Sequence, residues 1–239
     1  MKTSGLLSVL LLLSLPGQDD AQETKSTPYP AMAPVDQYRI ADAHDEIALA
    51  RTAAPPSISA EAEVLVLGKH GYETAARGSN GFVCLVERSW TDGFDGAEFW
   101  NPRLRAPNCY NPPAARSVLP QYLKRTEWVL AGISKAQMVE KAKVEFASHR
   151  FTAPEVGSLS FMMSKRGYVS DEAAGAWLPH VMLFVPHGEA AAWGAGQSAS
   201  PIFGAEGGPF EPTVLFIPVP RWSDGSPAPP PAIDHQHSP

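Results

Sequence analysis

The sequence predicts an α+β fold: an antiparallel sheet of about five strands with a helical hairpin packed on one face. Apolar, β-branched runs cluster before residue 90 and again after residue 157, with the helix signals between them, so strands and helices are grouped rather than alternating. Apolar residues make up 44% of the 239, which supplies one core of ordinary size and implies a single domain.

The first segment, MKTSGLLSVLLLLSLPGQDDAQ, has a lone cation at Lys2, an apolar stretch from Leu6 to Leu15 and a polar opening at Pro16. This is the pattern of a secretory signal peptide, assigned to residues 1–17, and it is too short for a permanent bilayer span. An uncleaved anchor is the alternative. No later stretch is apolar enough to cross a membrane, so the expected location is extracytoplasmic, periplasmic or secreted. Residues 18–34 are polar and proline-bearing and read as a flexible lead-in, and residues 223–239 (SDGSPAPPPAIDHQHSP) read as a proline-rich disordered tail. The globular domain is placed at 35–222.

Within it, residues 36–53 lack Pro and Gly, begin with Asp36 and stop before Pro55, which fits a helix. EVLVLGK (63–69) and GFVCLVER (81–88) read as strands, with GYETAAR between them as an optional third, and the turn from Gly78 to Gly81 suggests a meander. A long proline-laden loop follows, from Ser89 to Ala115. Pro120 suits the first turn of a helix ending at Gly132, and Ser134 with Gln137 forms a capping box for the next. In SLSFMMS (158–164), Leu159, Phe161 and Met163 alternate with mostly serine, which predicts one wet face. HVMLFVP (180–186) and TVLFIPV (213–219) are continuous apolar runs and read as covered strands, joined by a glycine-rich loop.

The chain carries two cysteines, Cys84 and Cys109. An even pair in an exported chain reads as a disulfide, here tying a strand to the proline-laden loop and stabilising by roughly 3 to 4 kcal/mol. The rival reading, a catalytic thiolate at Cys84, is opposed by its apolar neighbours, which raise a thiol's pKa. Glu87 and Arg88 point to opposite faces because strand side chains alternate, so each is expected to pair across the sheet or with Arg103, Arg105 or Arg116. Trp90 then closes the end of the sheet.

His180 and His187 are seven extended residues apart, about 23 Å, and do not share a metal. No zinc spacing, serine elbow, P-loop or dinucleotide fingerprint occurs, so neither a metal nor a cofactor is expected. The net charge is −6, and the Lys and Arg residues between Arg116 and Arg166 are diluted by Glu127, Glu140 and Glu145, so nucleic acid is not an expected partner. The loops carry Trp100, Asn101, Asn108, Tyr110, Asn111 and Trp222, a mixture of rings and amides suited to a small polar ligand.

GSNGFVCLVER, NPPAAR and PVPRWSDG together resemble exported bacterial proteins to which no activity is assigned, over roughly residues 64–225. The resemblance implies export and no reaction, ligand or site residue. The leading expectation is a domain that binds a small polar ligand or a protein partner through Trp100, Asn101, Tyr110, Asn111 and Trp222. The alternatives are an acid–base, hydrolase-type enzyme using His180 or His70 with Glu87 and Arg116, and a non-catalytic structural component of the envelope.

Overall fold

The computed structural model describes residues 28–171, 177–206 and 210–229. The expected signal peptide, the lead-in up to residue 27 and the tail beyond residue 229 lie outside these. The strands are β1 (Glu63–Leu67), β2 (Tyr72–Ala76), β3 (Val83–Glu87), β4 (Ala106–Tyr110), β5 (Leu159–Met162), β6 (His180–Val185), β7 (Phe203–Ala205) and β8 (Thr213–Pro218). They form one eight-stranded sheet in the order β2-β1-β3-β4-β5-β6-β8-β7. The α-helices are α1 (Ala43–Arg51), α2 (Pro56–Ser59), α3 (Pro112–Ser117), α4 (Leu119–Leu130) and α5 (Lys135–Ala147). The α+β class and the mostly antiparallel sheet match the expectation, and the strand count is eight rather than about five.

The expected meander is corrected. β1 and β2 form an antiparallel hairpin, but β3 joins the far side of β1 in parallel, through Glu63↔Val83 and Val64↔Cys84. The chain from β2 therefore crosses the start of β1. Ser79 N–H donates to the Glu61 carbonyl at 2.8 Å and the Asn80 amide donates to the Ile58 carbonyl at 2.7 Å. Only glycine fits at position 78, where a Cβ would lie 2.1 Å from the Glu63 nitrogen.

β4 and β7 arise from segments expected to be loops. Pro107 argues against a central strand because it has no N–H to donate. The ladder tolerates it because successive peptide groups point to opposite sides: Arg105 exchanges both hydrogen bonds with Tyr168, so Pro107 turns its nitrogen to that side and leaves the β3 ladder intact. β4 is buried along its whole length.

Each face of the sheet has its own cover. Val64, Cys84, Val86 and Cys109 face α1, which meets them with Leu49 and Ala50. On the opposite face, Leu85, Tyr110, Met162 and Phe184 pack with Ala114, Val118 and Leu119 of α3 and α4. α5 contributes Met138 and Ala142 to a separate cluster with Trp128, Val129 and Phe151. The expected cover by one hairpin on one face is thus replaced by helices on both. The serine side of β5 is not wet: Ser158 and Ser160 are buried, and the Ser158 hydroxyl lies 3.1 Å from that of Ser117 on α3. Small side chains there let the helix approach closely.

Helix starts also shift. A 3-10 turn occupies Val35–Tyr38, and Asp42 rather than Asp36 caps α1, accepting from His44 N–H at 2.8 Å. The capping box of Ser134 and Gln137 is present.

Cys84 and Cys109 form a disulfide across directly opposed positions of β3 and β4, 25 residues apart in sequence. It joins two central strands rather than a strand and a loop. The ordered body also extends past both expected ends: Ala33 N–H donates to the Tyr38 hydroxyl at 3.1 Å, and Ser223 N–H donates to the Met163 carbonyl at 2.9 Å.

Candidate functional site

On the α4 side of the sheet a cavity of about 430 Å³ opens, bounded by β3, β4, β5, β6 and β8 and overhung by Tyr122, Asp92 and Glu211. Alternation places its floor. Glu87, Asn108 and Tyr110 stand on this face of β3 and β4, and His180, Met182 and Phe184 on this face of β6. Cys109 pairs with Phe161, so Asn108 continues beside Met162, which lies opposite His180. Asn108 and His180 are thus two strand spacings apart, about 9.6 Å between backbones. One small molecule can reach both.

Glu87 is 6% exposed. Its Oε1 accepts from the Tyr110 hydroxyl and from the Asn108 amide at 3.1 Å. No hydrogen bond among the described residues engages Oε2. Burial pushes the Glu87 carboxyl up to about 7, against the opposing effects of the Tyr110 and Asn108 hydrogen bonds and the Arg125 charge. Tyr110 is held well above the ordinary phenol range by burial, so it remains a neutral donor.

Asn108 is fully buried, and with its amide nitrogen turned to Glu87 its Oδ1 has no partner among the described residues. The His180 Nδ1–H donates to the Leu178 carbonyl at 2.9 Å, which fixes the tautomer and leaves Nε2 as an acceptor. Nε2 is buried and likewise without a partner among the described residues. Burial lowers the His180 pKa, so the ring is neutral.

The walls are aromatic. Tyr110 stacks with Phe184 at 5.8 Å, and His180 sits edge-on to Trp177 at 5.2 Å and to Phe216 at 5.4 Å.

His180, Glu87 and Tyr110 therefore meet in one cavity, as separate lining groups rather than as a hydrogen-bonded dyad. Asn108, one of the amides expected to suit a polar ligand, joins them, and the remaining expected site residues do not. His70 is on an exposed turn, and Arg116 is ion-paired with Glu155 at 2.7 Å on the surface. Asn111 caps α3 and also accepts from Leu159 N–H, so its amide is part of the framework. Asn101 is buried and donates to Glu98 and Asp171. Trp100 lies edge-on to Phe99 and gives its carbonyl to Tyr38. Trp222 sits 6.1 Å from Trp177 and so supports a cavity wall from behind. Of the two expectations for Glu87, the pairing across the sheet is the one seen, with Tyr110 and Asn108 of β4, and Arg88 pairs with Glu46 of α1 rather than across the sheet.

Trp177, Phe184 and Phe216 were absent from the expected set. The available signal was spacing by two, because Asn108 and Tyr110, and likewise His180, Met182 and Phe184, share one face once 106–110 is read as a strand. Among the described residues, no group of His, Cys, Asp and Glu could hold a metal, and no helix is long and apolar enough to cross a membrane. No model of a protein family, no curated protein and no solved structure matches this chain.

Proposed function

We propose that the protein is an exported binding domain whose cavity between the sheet and α4 takes a small molecule with an apolar body and hydrogen-bond donors. One observation carries this reading: Asn108 Oδ1 and His180 Nε2 are buried in the lining of one cavity and have no partner among the described residues, and Glu87, in the same lining, takes both its hydrogen bonds on Oε1. A buried acceptor without a donor costs about 1–3 kcal/mol, so a ligand that supplies donors recovers that amount at each. The size suits a small organic molecule, since such pockets run from about 300 to 1,000 Å³. Export is supported by the signal-like first segment and by the Cys84–Cys109 disulfide, which persists in oxidising compartments.

A thermal-shift screen of small molecules tests the site. Stabilising hits are expected to weaken in His180→Phe, which keeps the ring and removes the acceptor, and to persist in Trp100→Phe. Hits indifferent to His180→Phe and to Asn108→Leu would remove the cavity from consideration.

A second reading is favoured by the Glu87 carboxyl near 7: a group half-protonated at neutrality can exchange a proton with a bound molecule. In that case Glu87→Gln abolishes turnover of the bound hit while leaving its binding measurable.

A further inference from the structure

Resting on that reading, we infer that the ligand is an organic ammonium ion, a primary or secondary amine carried on an aromatic or aliphatic body. The two orphaned groups that line the cavity are both acceptors, an amide oxygen and an imidazole nitrogen, and the Glu87 carboxyl beside them takes both its hydrogen bonds on Oε1. A protonated amine is a pure donor and offers two or three N–H bonds from one atom, whereas an alcohol offers one and a carboxylate none.

Charge points the same way. Glu87, Asp92, Asp95, Glu206 and Glu211 line the cavity, and among the described residues no Lys or Arg does. The Arg125 guanidinium pairs with Glu211, donates to the Trp90 and Asp92 carbonyls, and lies 4.1 Å over the Phe94 ring, so it is committed to the wall. Glu206 accepts from the Thr213 hydroxyl and from Gly188 N–H at 3.1 Å, which fixes its carboxylate at the rim. Aromatic faces in the walls add attraction for a cation. A carboxylate-bearing ligand would meet the same lining as repulsion. A quaternary ammonium would meet the charge but leave Asn108 Oδ1 and His180 Nε2 without donors.

Binding is coupled to protonation. Glu87 faces Asn108 and Tyr110 on β4, Tyr122 and Arg125 on α4, Asp92 on the turn after β3, Glu211 before β8 and His180 on β6. Burial raises the two tyrosines and the Asp92 carboxyl and lowers the histidine, and it brings Glu87 to about 7. An ammonium ligand needs Glu87 as the anion, so its affinity rises with pH, by about tenfold from about pH 6 to about pH 8 for a carboxyl centred near 7. A ligand accepting from protonated Glu87 shows the opposite slope.

The test is calorimetric titration of the full chain at neutral pH with phenethylamine, phenethyl alcohol and phenylpropionate, repeated on the cyclohexyl and indolyl skeletons. Amines are expected to bind at least about tenfold tighter than the matched alcohols, with the carboxylates weakest. Glu87→Gln is expected to erase that preference, and the rising pH profile of the unsubstituted protein checks the same point without any variant. Alcohols or carboxylates binding tighter than amines, with binding still lost in Asn108→Leu, would overturn the ammonium inference and leave the cavity reading intact. No binding by any skeleton, or binding indifferent to Asn108→Leu, would overturn both.

Discussion

Glu87 and Arg88 are neighbours in sequence, both charged and both buried, and the protein treats them in opposite ways. Arg88 lies on the α1 side with every guanidinium nitrogen engaged: Nε donates to the Tyr38 carbonyl at 2.6 Å, Nη1 to the Val86 carbonyl and Nη2 to Glu46 at 2.8 Å. Glu46 in turn accepts from Leu67 N–H at 3.2 Å. Glu87 lies on the α4 side with both its donors on one oxygen, beside Asn108 and His180, which each have an acceptor left over. On the α1 side the Arg88 network is completed by protein groups beside the disulfide, while on the α4 side the cavity keeps Asn108 Oδ1 and His180 Nε2 without partners among the described residues. A buried polar group without a partner is costly, and two such acceptors in the lining of one cavity are the basis of the proposed ligand site.

The contrast can be broken most severely on the α1 side. Arg88→Met leaves the Glu46 carboxylate, 1% exposed, without its cation and is expected to destabilise by about 3–5 kcal/mol, read as a lower urea midpoint. Replacing Cys84 and Cys109 together by alanine releases the 25-residue closure between β3 and β4 and is expected to cost about 3 kcal/mol by the same assay.

On the cavity side the sign changes. The native Glu87 carboxyl keeps its proton up to about 7, while the unfolded chain releases it near the ordinary 4.5. The native state therefore binds more protons between these values, and the contribution is fully present below the lower one and lost as pH rises through the upper. The loss amounts to roughly 3 kcal/mol, at about 1.4 kcal/mol for each pKa unit. Glu87→Gln is expected to remove this slope and to exceed the unsubstituted protein in stability at mildly alkaline pH, as seen by urea unfolding across the pH range. The smallest stability effect belongs to His180→Phe, expected to shift the midpoint by less than about 1 kcal/mol while weakening ligands.

Much of this contrast is visible in the letters. The runs at 63–69, 81–88, 180–186 and 213–219 announce strands because their β-branched and apolar content is dense, and alternation alone separates Glu87 from Arg88. The cysteine pair announces a disulfide because a signal-like first segment and an even number coincide. What is hidden is set by long-range register. β4 is masked by Pro107, which is harmless only because Arg105 pairs with Tyr168 and so fixes which side the missing N–H faces. Once β4 is missed, Asn108 looks like a turn residue and the row from Asn108 through Met162 to His180 cannot be seen. Trp100, Asn101 and Asn111 drew attention by composition, yet each is consumed by framework contacts that span tens of residues. The parallel pairing of β1 with β3 depends on Gly78 crossing the β1 backbone, a close approach that no periodicity reports.

The most direct measurement is a carbon-detected NMR titration of the Glu87 side-chain carboxyl, alone and with the amine that binds tightest. The carboxyl is expected to titrate near 7 in the free protein and to move to lower pH when the amine is bound. A midpoint near the ordinary 4.5 in both samples would contradict the account, because Glu87 would then be neither desolvated in the cavity nor in contact with the bound cation.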